Sequence, residues 1–278
     1  MTLQDATPAL ELGSRELGLG GAALVLAGLA LTPLCVAFAR RFSPKVPVFF
    51  ARWRFMHALV VALILMLAMQ GAPALVGLVL DPERVPAGLR ALLGSALGLG
   101  ATCAVIFWMA ARLDPDGVSC LGLRAQGSVR ASWVAVACYV IVLPGLLGLM
   151  PLWAWIFQAC GGEFHEQQIA NDIAELSGQW RIYAALLAIF LLPFFEEVIF
   201  RGFLQPLLVQ NLGDRGGVFA TSLAFAMLHG ESALVPVLGL ALLLGSLKLR
   251  TQRLSACYAV HALHNAIAYG MLSLSDGA

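Results

Sequence analysis

Glu196 and Glu197 stand side by side in a stretch, Ile182 to Phe200, that is otherwise apolar enough to span a membrane, and Arg201 follows the second by four residues. A carboxylate at bilayer depth is costly to keep, so an intramembrane acid reads first as a functional group. Three further clusters lie on apolar segments in the last third of the chain: Phe225-Ala-Met-Leu-His229, Ala241-Leu-Leu-Leu-Gly245 and His261-Ala-Leu-His264-Asn265. On a helix, Glu197 and Arg201 share a face at i,i+4 and can pair directly. Glu196 is rotated from them by about 100° and faces other neighbours. His261 and Asn265 repeat the spacing, as do Phe225 and His229. A desolvated Glu can act as general base to a water, His can orient that water or carry its proton, and His and Asn can donate to an oxyanion. This is the inventory for amide hydrolysis. No serine or cysteine is clearly placed as a nucleophile, which favours activated water over an acyl-enzyme.

The elements that must carry these groups are membrane helices. Of 278 residues 60% are hydrophobic and 12% charged, with a mean hydropathy of +0.86, far from the balance of soluble domains. The fold class is therefore all-α, a polytopic transmembrane helix bundle. Eight segments are long enough or nearly so: 17–39, 55–80, 88–112, 131–158, 181–209, 216–229, 232–248 and 254–274. Residues 1–16 are expected as a short tail, and 17–278 as a single membrane domain. A net charge of +1 and the lack of a basic run give nucleic acid no role. The scattered cysteines, without CxxC spacing, read as small core residues.

Lys and Arg set the expected orientation. Arg40, Arg41, Lys45, Arg52, Arg54, Arg112, Arg124, Arg130, Arg215, Lys248, Arg250 and Arg253 follow the odd-numbered spans, which places those connections in the cytoplasm. Arg15, Arg84, Arg90 and Arg181 lie on the other side. The acidic connection 159–180, with Glu163, His165, Glu166, Asp172 and Glu175, would be a solvated outer loop with a short surface helix. The segment 216–229 is too short to cross and ends before Gly230 and Glu231, so it is expected to break inside the protein. Glu231 could cap the next helix or line a cavity. His57 beside Trp53 and Arg54 reads as an interfacial anchor, His264 as a packing histidine. Gly18, Gly20, Gly21, Gly94, Gly98 and Gly100 suit close helix packing.

The set EExxxR, FxxxH and HxxxN, in that order on successive late helices, resembles the CPBP family of intramembrane endopeptidases, the CAAX proteases and bacteriocin-processing enzymes also called Abi. Residues 181–270 carry the resemblance, with Leu121-Gly-Leu-Arg124 a weaker element. It implies that Glu196 activates water with His229 beside it, that His261 and Asn265 stabilise the oxyanion, and that Glu197 and Arg201 organise the site with Phe225 in support. Members are described both as metalloproteases and as glutamate proteases. Glu196, His229 and His261 could supply zinc-type ligands, but there is no HExxH pair, and no obligatory cofactor is expected. The partners implied are a peptide or protein substrate, CAAX-type, lipidated or leader-bearing, and membrane lipids. The location implied is a bacterial inner membrane, with the site cavity toward the cytoplasm.

Two other classes use the same residues. A proton-coupled transporter would need intramembrane Glu and His, and would repeat them in the N-terminal half, where spans one to four carry no intramembrane acid. A catalytically silent membrane partner or bacteriocin-immunity factor would keep the fold without the reaction.

Overall fold

The hydrophobic segments fold as helices. The computed structural model describes residues 3–43, 46, 49, 51–162, 173 and 176–275, and contains no strand among them. In chain order these are α1 (Leu3–Phe42), α2 (Phe55–Val79), α3 (Ala87–Leu113) and α4 (Ser128–Ala159), with a 3₁₀ turn at Gly117–Leu121 before α4. A helical run then extends over Gly178–Met227. Gly213, with φ 72° and ψ 173°, breaks it, because that backbone conformation is open to glycine and strained for side chains with a Cβ. We name the two parts α5 (178–212) and α6 (214–227). α7 (Leu234–Thr251) and α8 (Leu254–Ser275) complete the bundle.

Six helical runs are long and apolar enough to cross a membrane among the described residues, with 178–227 counted as one. α8 is not one of the six, because His261, His264 and Asn265 dilute its apolarity. α6 is short, as its sequence requires, and its helix ends at Met227; a turn through Gly230 (φ 82°) leads to α7. α1 continues back to Leu3 where a tail was expected. Most of the acidic 159–180 connection, with Glu163, His165, Glu166, Asp172 and Glu175, lies outside the described residues.

α1 packs along α4 and α2 along α3; α5 packs on α3, α7 and α8 pack on α4, and α6 packs on α7. The α1–α4 seam is close because glycines face each other: a Cβ on Gly28 would stand 2.4 Å from the Cα of Gly145. Gly18, Gly21, Gly94 and Gly98 also meet neighbours closely, whereas Gly20 faces open space. Basic side chains fasten one end of the bundle. Arg130 Nε donates to Phe42 O and Arg250 Nε to Ala39 O, both at 3.0 Å, so two guanidinium groups answer carbonyls at the C-terminal end of α1. Arg253 Nε donates to Gln126 O at 2.9 Å.

Distant elements bury two residues of the basic stretches, Trp53 and Lys248, and His57 finds a local partner. Trp53 is buried, stacks on Phe203 at 5.1 Å and donates Nε1–H to Phe203 O at 3.0 Å. His57 accepts from the Arg54 N–H at 2.9 Å and so caps the start of α2. Lys248, expected in a cytoplasmic connection, is 3% exposed inside the last turns of α7. Local composition does not reveal the burial of Trp53 or Lys248, because each depends on an element distant in sequence.

Candidate active site

The glutamate pair sits on a helix that changes pitch twice. Leu187–Leu191 and Val198–Leu204 are π-helical, and the α-helical Leu192–Glu197 lies between them. The cause is legible in the chain: Pro193 and Pro206 each follow one of these stretches by two residues. A proline has no N–H, and its ring collides with the carbonyl four residues back, so the preceding turn widens instead of breaking. In the first wide turn Leu192 N–H donates to Leu187 O, five residues back. In the second, Gln205 N–H donates to Phe200 O.

Within the narrow segment the two carboxylates have separate surroundings. Glu197 and Arg201 are both fully buried and paired, with Arg201 Nη1 3.2 Å from Glu197 Oε1. The same oxygen accepts from His261 Nδ1 at 2.8 Å. Glu197 therefore holds α8 to α5 through an imidazole and holds its own helix through a guanidinium. Glu196, one residue earlier, retains 21% of its side-chain surface, and its Oε2 lies 3.5 Å from His261 Nε2. His261 thus stands between the two carboxylates, one ring nitrogen toward each.

Phe225 of α6 is the hub of the second half of the site. The Arg201 guanidinium lies over its ring at 4.4 Å, a cation–π contact strengthened by burial. Its ring centroid is 4.5 Å from His229 and 5.8 Å from His261. His229 Nδ1–H donates to Phe225 O at 2.9 Å, across the end of α6. A carbonyl can only accept, so Nδ1 carries the proton and Nε2 is the basic nitrogen. Asn265, on the same α8 face as His261, donates Nδ2–H to Ala188 O at 2.9 Å, in the first wide turn. His264 is hydrogen-bonded to Tyr139 Oη at 3.0 Å, which ties α8 to α4. Glu231 is exposed in the turn before α7, where its carbonyl accepts from Trp153 Nε1 at 2.9 Å; α7 has no side-chain cap.

Among the described residues no three His, Cys, Asp or Glu side chains gather closely enough to hold a metal ion, Glu196, His229 and His261 included. Cys257 Sγ–H donates to Leu244 O at 3.2 Å. Cys120, in the 3₁₀ turn, is buried, and that burial pushes its thiol up to about 12, which keeps it protonated and poorly nucleophilic.

The spacing of motif residues is enough to find Glu196, Glu197, Arg201, Phe225, His229, His261 and Asn265. It misses Trp53, which meets Phe203 of the second π-helical turn, and Ala188, which lies in the first and accepts from Asn265; neither contact carries a motif. The available signal is a proline a few residues after an apolar run, once before the acids and once after them.

The fold and site together define an integral membrane helical bundle with a buried carboxylate–imidazole–guanidinium centre. Residues 178–267 match the family model described as type II CAAX prenyl endopeptidase Rce1-like, in agreement with the resemblance carried by the motifs. The matched segment is about a third of the chain and contains every motif residue of the site. No curated protein and no solved structure matches the chain significantly.

Proposed function

We propose that this protein is an intramembrane endopeptidase in which Glu196 activates a water. The observation that carries the reading is the division of labour between adjacent carboxylates. Glu197 is committed to Arg201 and to His261 Nδ1, whereas Glu196 is partly open and meets only the second ring nitrogen of that imidazole in the contacts above. A buried acid with two partners is a structural anchor; an accessible one beside an imidazole can take a proton from water. In this reaction Glu196 accepts the proton of the attacking water as its oxygen adds to the scissile carbonyl. The basic Nε2 of His229 orients that water. The second N–H of Asn265 Nδ2 donates to the oxyanion, and His261 donates beside it from Nε2–H as the imidazolium, its Nδ1–H being held by Glu197. The proton on Glu196 then passes to the leaving amine as the C–N bond breaks, which restores the carboxylate. No step is routed through a metal. The Rce1-like match supports a substrate of the CAAX-type, lipidated class. The excess of Lys and Arg at one end supports a cavity that faces the cytoplasm of a bacterial inner membrane.

The test is hydrolysis of lipidated and unlipidated peptides by the detergent-solubilised protein, beside Glu196→Gln and His229→Ala, each with and without a zinc chelator. Loss of cleavage in both variants with retained folding, and no effect of chelator on wild type, is the expected result. Full activity in Glu196→Gln would sink the mechanism; chelator sensitivity would replace its metal-free form. Absence of cleavage by wild type across the peptide panel would favour the silent-partner reading.

A further inference from the structure

The polar residues of the site continue past Arg201. One turn further along α5, Gln205 is 2% exposed and donates Nε2–H to Gly245 O of α7 at 2.8 Å. Gly245 closes the Ala241–Gly245 motif, to which the proposed reaction gives no task. Its missing side chain makes room there. A Cβ on it would stand 3.2 Å from Gln205 Oε1 and 3.5 Å from Ser222 Oγ, so both oxygens face one point on α7. Ser222 lies one turn of α6 before Phe225, the ring that carries the Arg201 guanidinium.

Arg201 Nε, Arg201 Nη2, Gln205 Oε1, Ser222 Oγ and Glu197 Oε2 are buried and have no protein partner among the described residues. They belong to residues at most 2% exposed. Unanswered buried groups of this kind, a guanidinium above all, cost far more than one ordinary hydrogen bond contributes. The ligand that answers them must accept from Arg201 and donate to Gln205 and Glu197. An anion meets the first need and fails the second; a cation does the reverse. A small neutral molecule that does both is water, the usual occupant of buried polar gaps.

We infer that Arg201, Gln205 and Ser222 hold an internal water behind Glu197, and that Gln205 and Ser222 are positioning residues acting on the Glu197–His261 pair through that water and Arg201. The water accepts from the Nε and Nη2 edge of the guanidinium, which Glu197 does not use, so Arg201 stays in line with the carboxylate and Glu197 keeps His261 turned toward Glu196. The hydration site stands on the structure alone; its effect on turnover rests on the endopeptidase reading.

The experiment has two arms on the full chain in lipid nanodiscs. In a cryo-EM map that resolves solvent, wild type is expected to show density within hydrogen-bond reach of Arg201, Ser222 Oγ and Gln205 Oε1. Empty space there overturns the site whatever the activity. In the second arm, a quenched peptide with a farnesylated CaaX terminus is the probe. Ser222→Ala and Gln205→Met are expected to lower kcat about tenfold with KM unchanged, while Ser222→Thr, which keeps the hydroxyl, retains most of the wild-type kcat. Wild-type kcat in both polar-deletion variants overturns the positioning role. A wild type that shows the density and cleaves nothing overturns the endopeptidase reading while the hydration site stands.

Discussion

Asn265 donates to the carbonyl of Ala188 at 2.9 Å, and that carbonyl needs it. The α-helical donor in its reach, Leu192 N–H, is spent on Leu187 O, and the donor one residue further on is Pro193, which has none. A motif residue of α8 thus supplies the hydrogen bond that a proline withholds in α5. The turn it holds leads directly into the segment bearing Glu196 and Glu197.

This pairing predicts a coupling between Asn265 and Pro193. Asn265→Ala leaves a part-buried carbonyl unanswered and is expected to cost about 1–3 kcal/mol. Pro193→Ala restores an N–H to the turn, so in that background the same Asn265 change should cost measurably less. Thermal unfolding in detergent across the four proteins of the double-mutant cycle checks it; additive effects would refute the shared hydrogen bond.

Arg201→Ala strands Glu197 as a fully buried carboxylate against the His261 imidazole. Removing one partner of a buried pair costs about 3–5 kcal/mol, so a large fall in the unfolding midpoint is expected. Glu197→Gln with Arg201→Met, which removes both charges, should be less damaging to stability than Arg201→Ala alone, while both proteins lose cleavage. Equal midpoints for the two would show that the charge pairing is not what burial demands.

Trp53→Phe keeps the stack on Phe203 and deletes the donor to its carbonyl. The expected loss is about 1–3 kcal/mol, seen as a lower unfolding midpoint. An unchanged midpoint would mean that Phe203 O finds another donor.

At the α1–α4 seam, Gly28→Leu would drive a side chain into the Gly145 backbone, where even a Cβ has 2.4 Å. Separation of the two helices is the expected outcome, read as loss of a cysteine cross-link between residues placed across the seam near Gly21 and Gly148. A cross-link formed as in wild type would show that the seam has room to spare.

How much of this was legible beforehand follows from the reach of each interaction. The Glu197–Arg201 pair lies within one turn of one helix, so its i,i+4 spacing was enough to find it, and the Phe225–His229 contact was found the same way. That α6 would stop short and turn near Gly230 followed from a segment too short for a bilayer, although the helix ends at Met227, two residues before His229. Asn265 could be singled out, but not its hold on Ala188, because that carbonyl is orphaned by a change of pitch that no apolar pattern reveals. Lys248 was misread for a related reason: it sits in a basic, surface-like stretch, and its ammonium packs beside Gly122, far back in the chain. The burial of Trp53 was likewise invisible, because Phe203 of α5 lies 150 residues on.

The two wide turns have a further consequence for length variation. A π-helical turn holds about one residue more than an α-helical turn over a similar rise. A single-residue deletion in most membrane helices swings everything beyond it to a new face. Within Leu187–Leu191 or Val198–Leu204, the same deletion can instead be absorbed by a return to regular pitch, with the flanking faces kept in register. The acid-bearing helix of this protein therefore carries slack on either side of its carboxylates, and shortened variants that still insert and fold should be found at those two places sooner than elsewhere in the bundle.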